Sequence, residues 1–247
     1  MIGKLWQPLR LALALLTTLP VPGSTPPAPD DLGRAPLTYP LVGLLLAILL
    51  IAASWALFDL PPLASAALLL ALWAALTGAL HLDGLADCAD ALLGGHADAT
   101  RRRAILRDPH LGSAAVVTVV LVLIGKFAGL AAALEHGSLL PLLVAPVLAR
   151  GAALALMCAL PYASPGGMAE TTIAHLPRQA AWLVVGVVAA ITLLVAPSAL
   201  LAATALTALI GHGALRRQGG GSGDVYGAAI ELIETASLLV LAVPATD

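Results

Sequence analysis

The chain has 247 residues, of which 60% are hydrophobic and only 11% charged, with a mean hydropathy of +0.98 and a net charge of -2. Soluble domains carry roughly 45–50% apolar and ~25% charged residues, so composition excludes a soluble globular protein and marks an integral membrane one. The near-zero net charge excludes nucleic acid as a general partner, and two cysteines without metal spacing, Cys88 and Cys158, exclude a disulfide framework or a cysteine zinc site.

In chain order, the first element is a short apolar stretch over residues 9–19 behind Lys4 and Arg10. It lacks a small-x-small cleavage site and is too short to cross a bilayer, which reads as an interfacial or re-entrant helix ended by the proline-rich loop 20–36. Continuous apolar runs then predict spanning helices at 37–58, 63–80, 112–134, 139–160, 180–196, 198–215 and 225–243. Pro197 divides what would be one overlong helix into two. The expected fold is therefore all-α: one integral-membrane domain, 1–247, with about seven transmembrane helices.

Charge tests that segmentation, because cytoplasmic loops carry the Lys and Arg. With the N-terminus and loop 20–36 cytoplasmic, loops 81–111, 161–179 and 216–224 fall on the same side. Those segments hold Arg34, Arg101, Arg102, Arg103, Arg107, Arg178, Arg216 and Arg217 as well as Lys4 and Arg10. That is ten of the chain's 12 cations; the other two, Lys126 and Arg150, lie inside predicted helices. Asp83, Asp87, Asp90, Asp98, Asp108, Glu170 and Asp224 share the cytoplasmic side, whereas Asp59, Glu135 and Asp247 lie opposite. The active face is thus expected to be cytoplasmic.

Within "HLDGLADCADAL", Asp83, Asp87 and Asp90 fall within an arc of about 60° on a helix. Like charges so crowded destabilise a helix unless a cation is bound, and hard carboxylate oxygens suit Mg²⁺ or Mn²⁺ that also bridges substrate phosphates. A solvated helix end paired with nearby arginines is the plainer reading. "RRRAILRD" offers Arg107 among four guanidiniums for phosphoryl oxygens, alongside simple positive-inside anchoring. In "RRQGGGSGDVYGAAIELIE", Gly220, Gly221, Ser222 and Gly223 form a turn before an apolar helix, where backbone amides favour an anion, or else a flexible linker. Asp224 and Glu231 fall on one face of that helix about two turns apart, and Glu231 would be a charge inside the membrane. Glu234, about 60° further round, ranks lower. Lys126 and Arg150 are placed to neutralise buried carboxylates or reach a substrate phosphate. His81 and His175 are near the polar face, though a lone histidine is more often a hydrogen-bonded interface residue.

At "HLDGLADCADAL", with "RAILRDPHLGSAAVV", "GKFAGL" and "GGGSGDVYGAAIEL", the chain resembles the cobalamin (5′-phosphate) synthase family, adenosylcobinamide-GDP ribazoletransferase, over essentially its whole length. The resemblance implies a transferase of cobalamin biosynthesis, multi-pass in the bacterial inner membrane, with Mg²⁺ as cofactor. Its substrates would be adenosylcobinamide-GDP and α-ribazole or α-ribazole 5′-phosphate, joined with release of GMP. The motifs match Asp83, Gly84, Asp87, Asp90, Asp108, Gly112, Lys126, Gly223, Asp224 and Glu231. Asp83, Asp87 and Asp90 are then expected at the metal, with Asp108 or Asp224 completing the shell or acting as base. Lys126 joins the catalytic set; His81, Arg107, Arg150, Glu231 and the 220–223 loop join the substrate site. Departures from the pattern are Cys88 and Ser222 where Thr is usual, Arg107 for Lys, Pro109 for Ser and Ala115 for Gly. Two rivals are a CDP-alcohol phosphotransferase, whose D-x-x-D-G-x-x-A-R order is not met here, and a cation transporter. The lipid bilayer is the remaining partner, and a homo-oligomer is compatible with the reading.

Overall fold

In the computed structural model, residues 2–23, 26–93, 112–167 and 169–242 are described, and every regular element among them is helical. Helix α1 (Ile2–Leu16) is followed by α2 (Pro29–Arg34) and a 3-10 turn (Ala35–Thr38) that run into α3 (Tyr39–Ala56). Then come α4 (Pro62–Thr77), α5 (Leu80–Leu93), α6 (Ser113–Glu135), α7 (Leu140–Ala159), α8 (Glu170–Ala174), α9 (Arg178–Val195), α10 (Pro197–Gln218) and α11 (Gly223–Ala242). Prolines open α3, α4, α7 and α10, where the missing N–H costs nothing. The division at Pro197 is real, with α10 starting on that residue straight after Ala196.

Six stretches are long and apolar enough to cross a membrane, and the bent pair α4–α5 makes a seventh if it counts as one span. The protein is therefore an all-α, multi-pass membrane protein. Its outer surface is apolar: Ile48, Leu121, Leu183, Leu194, Leu201 and Leu209 are all exposed. Helices α7 and α11 form the centre, with 78% and 67% of their apolar windows buried, whereas only 11% of α9 is covered. Around that pair, α3 packs on α7, and α5, α6 and α10 pack on α11.

Two differences from the boundaries read in the sequence bear on the site. Helix α1 begins at Ile2 and carries Pro8 within it, so it is longer than the apolar stretch 9–19. The run 63–80 ends earlier, at Thr77, because Gly78 (φ 61°) and Ala79 (φ 56°) both turn left-handed. An alanine in that region costs about 1 kcal/mol, and the segment after α1 supports the turn. Thr18 donates its N–H to the Leu76 carbonyl at 2.8 Å and its hydroxyl to the Ala75 carbonyl at 2.9 Å. The result is an 88° bend between α4 and α5. Helix α5 consequently lies across the end of the bundle rather than through it, and the connection 81–111 opens with a formed helix.

Gly84 sets how closely α5 crosses α11. A Cβ there would stand 2.9 Å from the Cα of Asp224 and 3.1 Å from its carbonyl oxygen, a separation that side-chain carbons do not adopt. Gly213 on α10, by contrast, has open space around it. Both are helical, so alanine brings each the same propensity gain. Gly84→Ala is expected to be about 1–3 kcal/mol less stable than Gly213→Ala through overpacking, read as thermal unfolding of the detergent-solubilised protein. Equal stabilities would remove the close crossing.

Candidate active site

The crossing of α5 over α11 decides where the acids of "DGLADCAD" end up. Asp83 is exposed, Asp87 half-buried and Asp90 buried. Asp224, in the first turn of α11, lies directly beneath Gly84. Asp87 feels this convergence: burial first, then the negative charges of Asp224, Asp83 and Asp90, push its pKa up to about 6. Three of the four expected carboxylates, Asp83, Asp87 and Asp224, therefore meet at one open edge.

Asp90 has a different environment. Its Oδ2 accepts the Gly112 N–H at 2.7 Å and its Oδ1 accepts the Ala115 N–H at 2.9 Å. Both oxygens thus cap the start of α6, whose own N-cap Gly112 has no side chain to do so. A carboxylate at that end also meets the positive end of the helix dipole. The residue expected as a metal ligand therefore ties α5 to α6.

Among the described residues no three His, Cys, Asp or Glu side chains are drawn together tightly enough to enclose an ion. The donor set still suits Mg²⁺: hard oxygens of Asp83, Asp87 and Asp224 at a solvent-facing edge would give a partial shell, and this ion commonly keeps several waters. Asp108 and Arg107 lie outside the described residues, as do Arg101, Arg102 and Arg103.

The expected anion loop is built from its own backbone. Gly221 donates its N–H to the Pro161 carbonyl at 2.9 Å and accepts the Ala163 N–H at 2.9 Å, while the Gly220 N–H reaches the Ala214 carbonyl at 3.3 Å. A Cβ at Gly220 would sit 2.1 Å from the Pro161 carbonyl oxygen, so the glycine is there for close approach. Ser222 caps α11, its hydroxyl accepting the Val225 N–H at 3.3 Å. The amides of Gly220 and Gly221 are thus committed to carbonyls. The first turn of α11, beginning at Gly223 with open space beside it, is the part that faces the carboxylates.

Below this edge lies a second constellation. Lys126 on α6 stands 2.7 Å from Glu231 and 2.5 Å from Glu234 on α11, and over the ring of Trp73 at 4.9 Å. Arg150 on α7 pairs with the other oxygen of Glu234 and donates to the Pro146 carbonyl at 3.2 Å. All four charged groups are buried. His81 is buried too, and neither ring nitrogen has a hydrogen-bond partner among the described residues. A cavity of about 10 Å³ beside Trp73, Lys126 and Glu231 has room for about one water.

The structure therefore separates the expected site residues into two layers. Asp83, Asp87, Asp224 and Gly223 share the edge. Lys126, Arg150, Glu231 and His81 lie in the interior, about two helical turns deeper along α11. Sequence reasoning ranked Glu234 below Glu231, yet Glu234 is the one acid that joins both interior cations. The signal was countable: two cations and two acids lie inside apolar helices, and full pairing requires both acids. Trp73 gave no such signal.

Carboxylates clustered on one face of a helical membrane protein, with a matched set of charges inside it, mark a functional site rather than an inert bundle. The family model for Cobalamin-5-phosphate synthase matches residues 8–242, and the chain belongs to that family of enzymes. The adenosylcobinamide-GDP ribazoletransferase of Pseudomonas fluorescens (strain Pf0-1) is 46% identical over 239 residues, covering 95% of this chain and 98% of that protein. The protein of the same name from Pseudomonas aeruginosa strain PAO1 is 49% identical over 239 residues, covering 95% and 97%. No solved structure matches.

Capping by Asp90 predicts that Asp90→Ala loses about 0.5–2 kcal/mol of stability while Asp83→Ala, at the exposed edge, loses little. Thermal melts in detergent without metal separate the two, and an Asp90→Ala protein as stable as the parent would remove the cap. In the interior, Glu234→Ala leaves two cations to one acid and is expected to cost about 3–5 kcal/mol, more than Glu231→Ala. A larger loss for Glu231→Ala would move the hub of the charge cluster.

Proposed function

We propose that the chain is an adenosylcobinamide-GDP ribazoletransferase, completing the nucleotide loop of cobalamin at the membrane. The 3′-hydroxyl oxygen of α-ribazole, or of its 5′-phosphate, forms a bond to the cobinamide-linked phosphorus. The bond from that phosphorus to the bridging oxygen breaks, and GMP leaves with it. The reading rests on the near full-length likeness to proteins of that name. The observation that carries it is the meeting of Asp83, Asp87 and Asp224 where α5 crosses the first turn of α11.

In this reading Asp83, Asp87 and Asp224 hold Mg²⁺, which when bound supplies neutralisation of the pyrophosphate charge. The amides of the first turn of α11 face the same anion. In the same reading Asp224, or Asp108 in its place, takes the proton of the attacking hydroxyl. Lys126, Arg150, Glu231 and Glu234 act on the site from below, fixing α11 against α6 and α7. The reaction face is assigned to the cytoplasm, because Arg10, Arg34, Arg178, Arg216 and Arg217 belong to the α5 end of the bundle while the connections 57–61 and 136–139 carry no cation.

The test is Mg²⁺-dependent GMP release from adenosylcobinamide-GDP and α-ribazole by protein in liposomes. A CDP-alcohol plus alcohol control with CMP as its product, and an ion-flux control, cover the rival classes. Asp87→Asn is expected to abolish GMP release while keeping the parent's elution volume and melting temperature. Full activity in Asp87→Asn would remove the metal from this edge, and no cobalamin product from the parent would overturn the function.

A further inference from the structure

Among the described residues, Ala79 is the only one besides glycines with a positive φ, and it lies beside the carboxylate edge. The pairing around it runs in a short series. The Ala79 N–H reaches the Ala74 carbonyl at 3.1 Å and the Gly78 N–H the Ala75 carbonyl at 3.2 Å, which closes α4. The Asp83 N–H then reaches the Ala79 carbonyl at 3.0 Å. The first turn of α5, and Asp83 with it, is therefore built on the left-handed alanine.

Thr18 holds the same bend from the other side, through its N–H on the Leu76 carbonyl and its hydroxyl on the Ala75 carbonyl. Its methyl group lies against the turn as well: a Cβ at Gly78 would stand 2.9 Å from Thr18 Cγ2, so that glycine leaves room for the threonine. Thr18 is itself anchored. Thr17, just before it, donates its N–H at 3.0 Å and its hydroxyl at 2.7 Å to the Leu13 carbonyl at the end of α1. Helix α1 in turn packs on α2, the 3-10 turn and α3. The other two holds on α5 act further along it, where Gly84 crosses α11 and Asp90 caps α6. Asp83 is exposed and precedes both, so the bend fixes it from its N-terminal side.

We propose that Thr18 is a positioning residue of the carboxylate edge: by holding the Ala75 and Leu76 carbonyls it keeps Gly78–Ala79 left-handed, and the bend so held sets Asp83 against Asp224. Thr18 acts through the backbone and touches no substrate. The proposal rests on the reading of that edge as a Mg²⁺ site. An ion shared by carboxylates of two helices is bound tightly when those carboxylates already stand in place, because any ordering left to do is subtracted from the affinity. Removing one neutral hydrogen bond from a turn shifts its equilibrium by about fivefold. An alanine in the left-handed region is where such a loss is felt most, since its other conformations are sterically easier.

The experiment compares the full-length parent with Thr18→Val, Thr18→Ser and the double variant Thr18→Val/Ala79→Gly in detergent. Valine keeps the shape and the N–H but has no hydroxyl to donate, whereas serine keeps the hydroxyl. Without metal, hydrogen–deuterium exchange over residues 78–83 is expected to be about fivefold faster in Thr18→Val, with α11 unchanged. Mn²⁺ binding, counted by electron paramagnetic resonance as the part that Asp87→Asn removes, should weaken by about the same factor. The melting temperature, which a loosened fold would lower, should stay close to the parent's. Thr18→Ser should match the parent in both readouts. Ala79→Gly should bring the double variant back toward the parent, because glycine adopts the left-handed conformation without support. Parent-like exchange in Thr18→Val would overturn the proposal. So would faster exchange with unchanged Mn²⁺ affinity, since the threonine would then steady the turn alone. A parent that binds no Mn²⁺ at the edge would sink the metal reading instead, and the exchange comparison would still decide whether Thr18 holds Asp83.

Discussion

The structure depends on a buried ion cluster. Two cations and two acids, Lys126 and Arg150 with Glu231 and Glu234, meet where α6, α7 and α11 approach each other. Each alone would be costly in the middle of a helical bundle, and together they cancel. Because Glu234 reaches both cations, rotation of α11 about its axis would leave at least one charge unpaired. Apolar side chains do not fix register so tightly, since one leucine face slides against another with little penalty. The cluster therefore acts as a key for the three central helices, a cost accepted for one arrangement rather than extra stability.

Register in α11 matters because its first turn is half of the candidate site. Fixing Glu231 and Glu234 fixes Asp224, about two turns nearer the surface, and Gly84 then allows α5 to lie against that turn. The other end of α5 is held by Asp90 to the start of α6. Helix α5 is thus gripped at one point by steric fit and at another by hydrogen bonds, with Asp83 and Asp87 presented around the first. The bend after Thr77 makes this placement available. Had α4 and α5 continued straight, the same aspartates would have lain along a span.

Much of this was legible in the sequence because it followed from solvation. The seven apolar runs and the cation-free connections are consequences of the bilayer, and the observed helices follow them. The site was legible in outline, since periodicity places Asp83 and Asp87 on one arc and Asp224 above Glu231. What was hidden depended on distant partners. Asp90 lies in the same arc, and only the return of residues 112–115 determines that its oxygens cap a helix. Gly220 and Gly221 look like an anion cradle until Pro161 and Ala214 take up their amides. Glu234 seemed turned aside when α11 was considered alone, but Arg150 on α7 approaches from that direction. The left-handed pair Gly78–Ala79 was masked because an alanine rarely adopts such a conformation without support, here from Thr18.

The pairing inside the bundle also explains the state of its edge. The two cations inside the central helices, Lys126 and Arg150, are matched by Glu231 and Glu234, so neither is left over for Asp83, Asp87 and Asp224. Burial first, and then their mutual repulsion, raises the pKa of Asp87. A carboxylate cluster that the helix interior does not neutralise has to be neutralised from outside, by an ion, a substrate-bound cation or an arginine brought over it. Placing it on α5, across the end of the bundle, keeps that external charge within reach of water. On the proposed function, a polyanionic substrate is then met without any of the reacting charge entering the hydrocarbon.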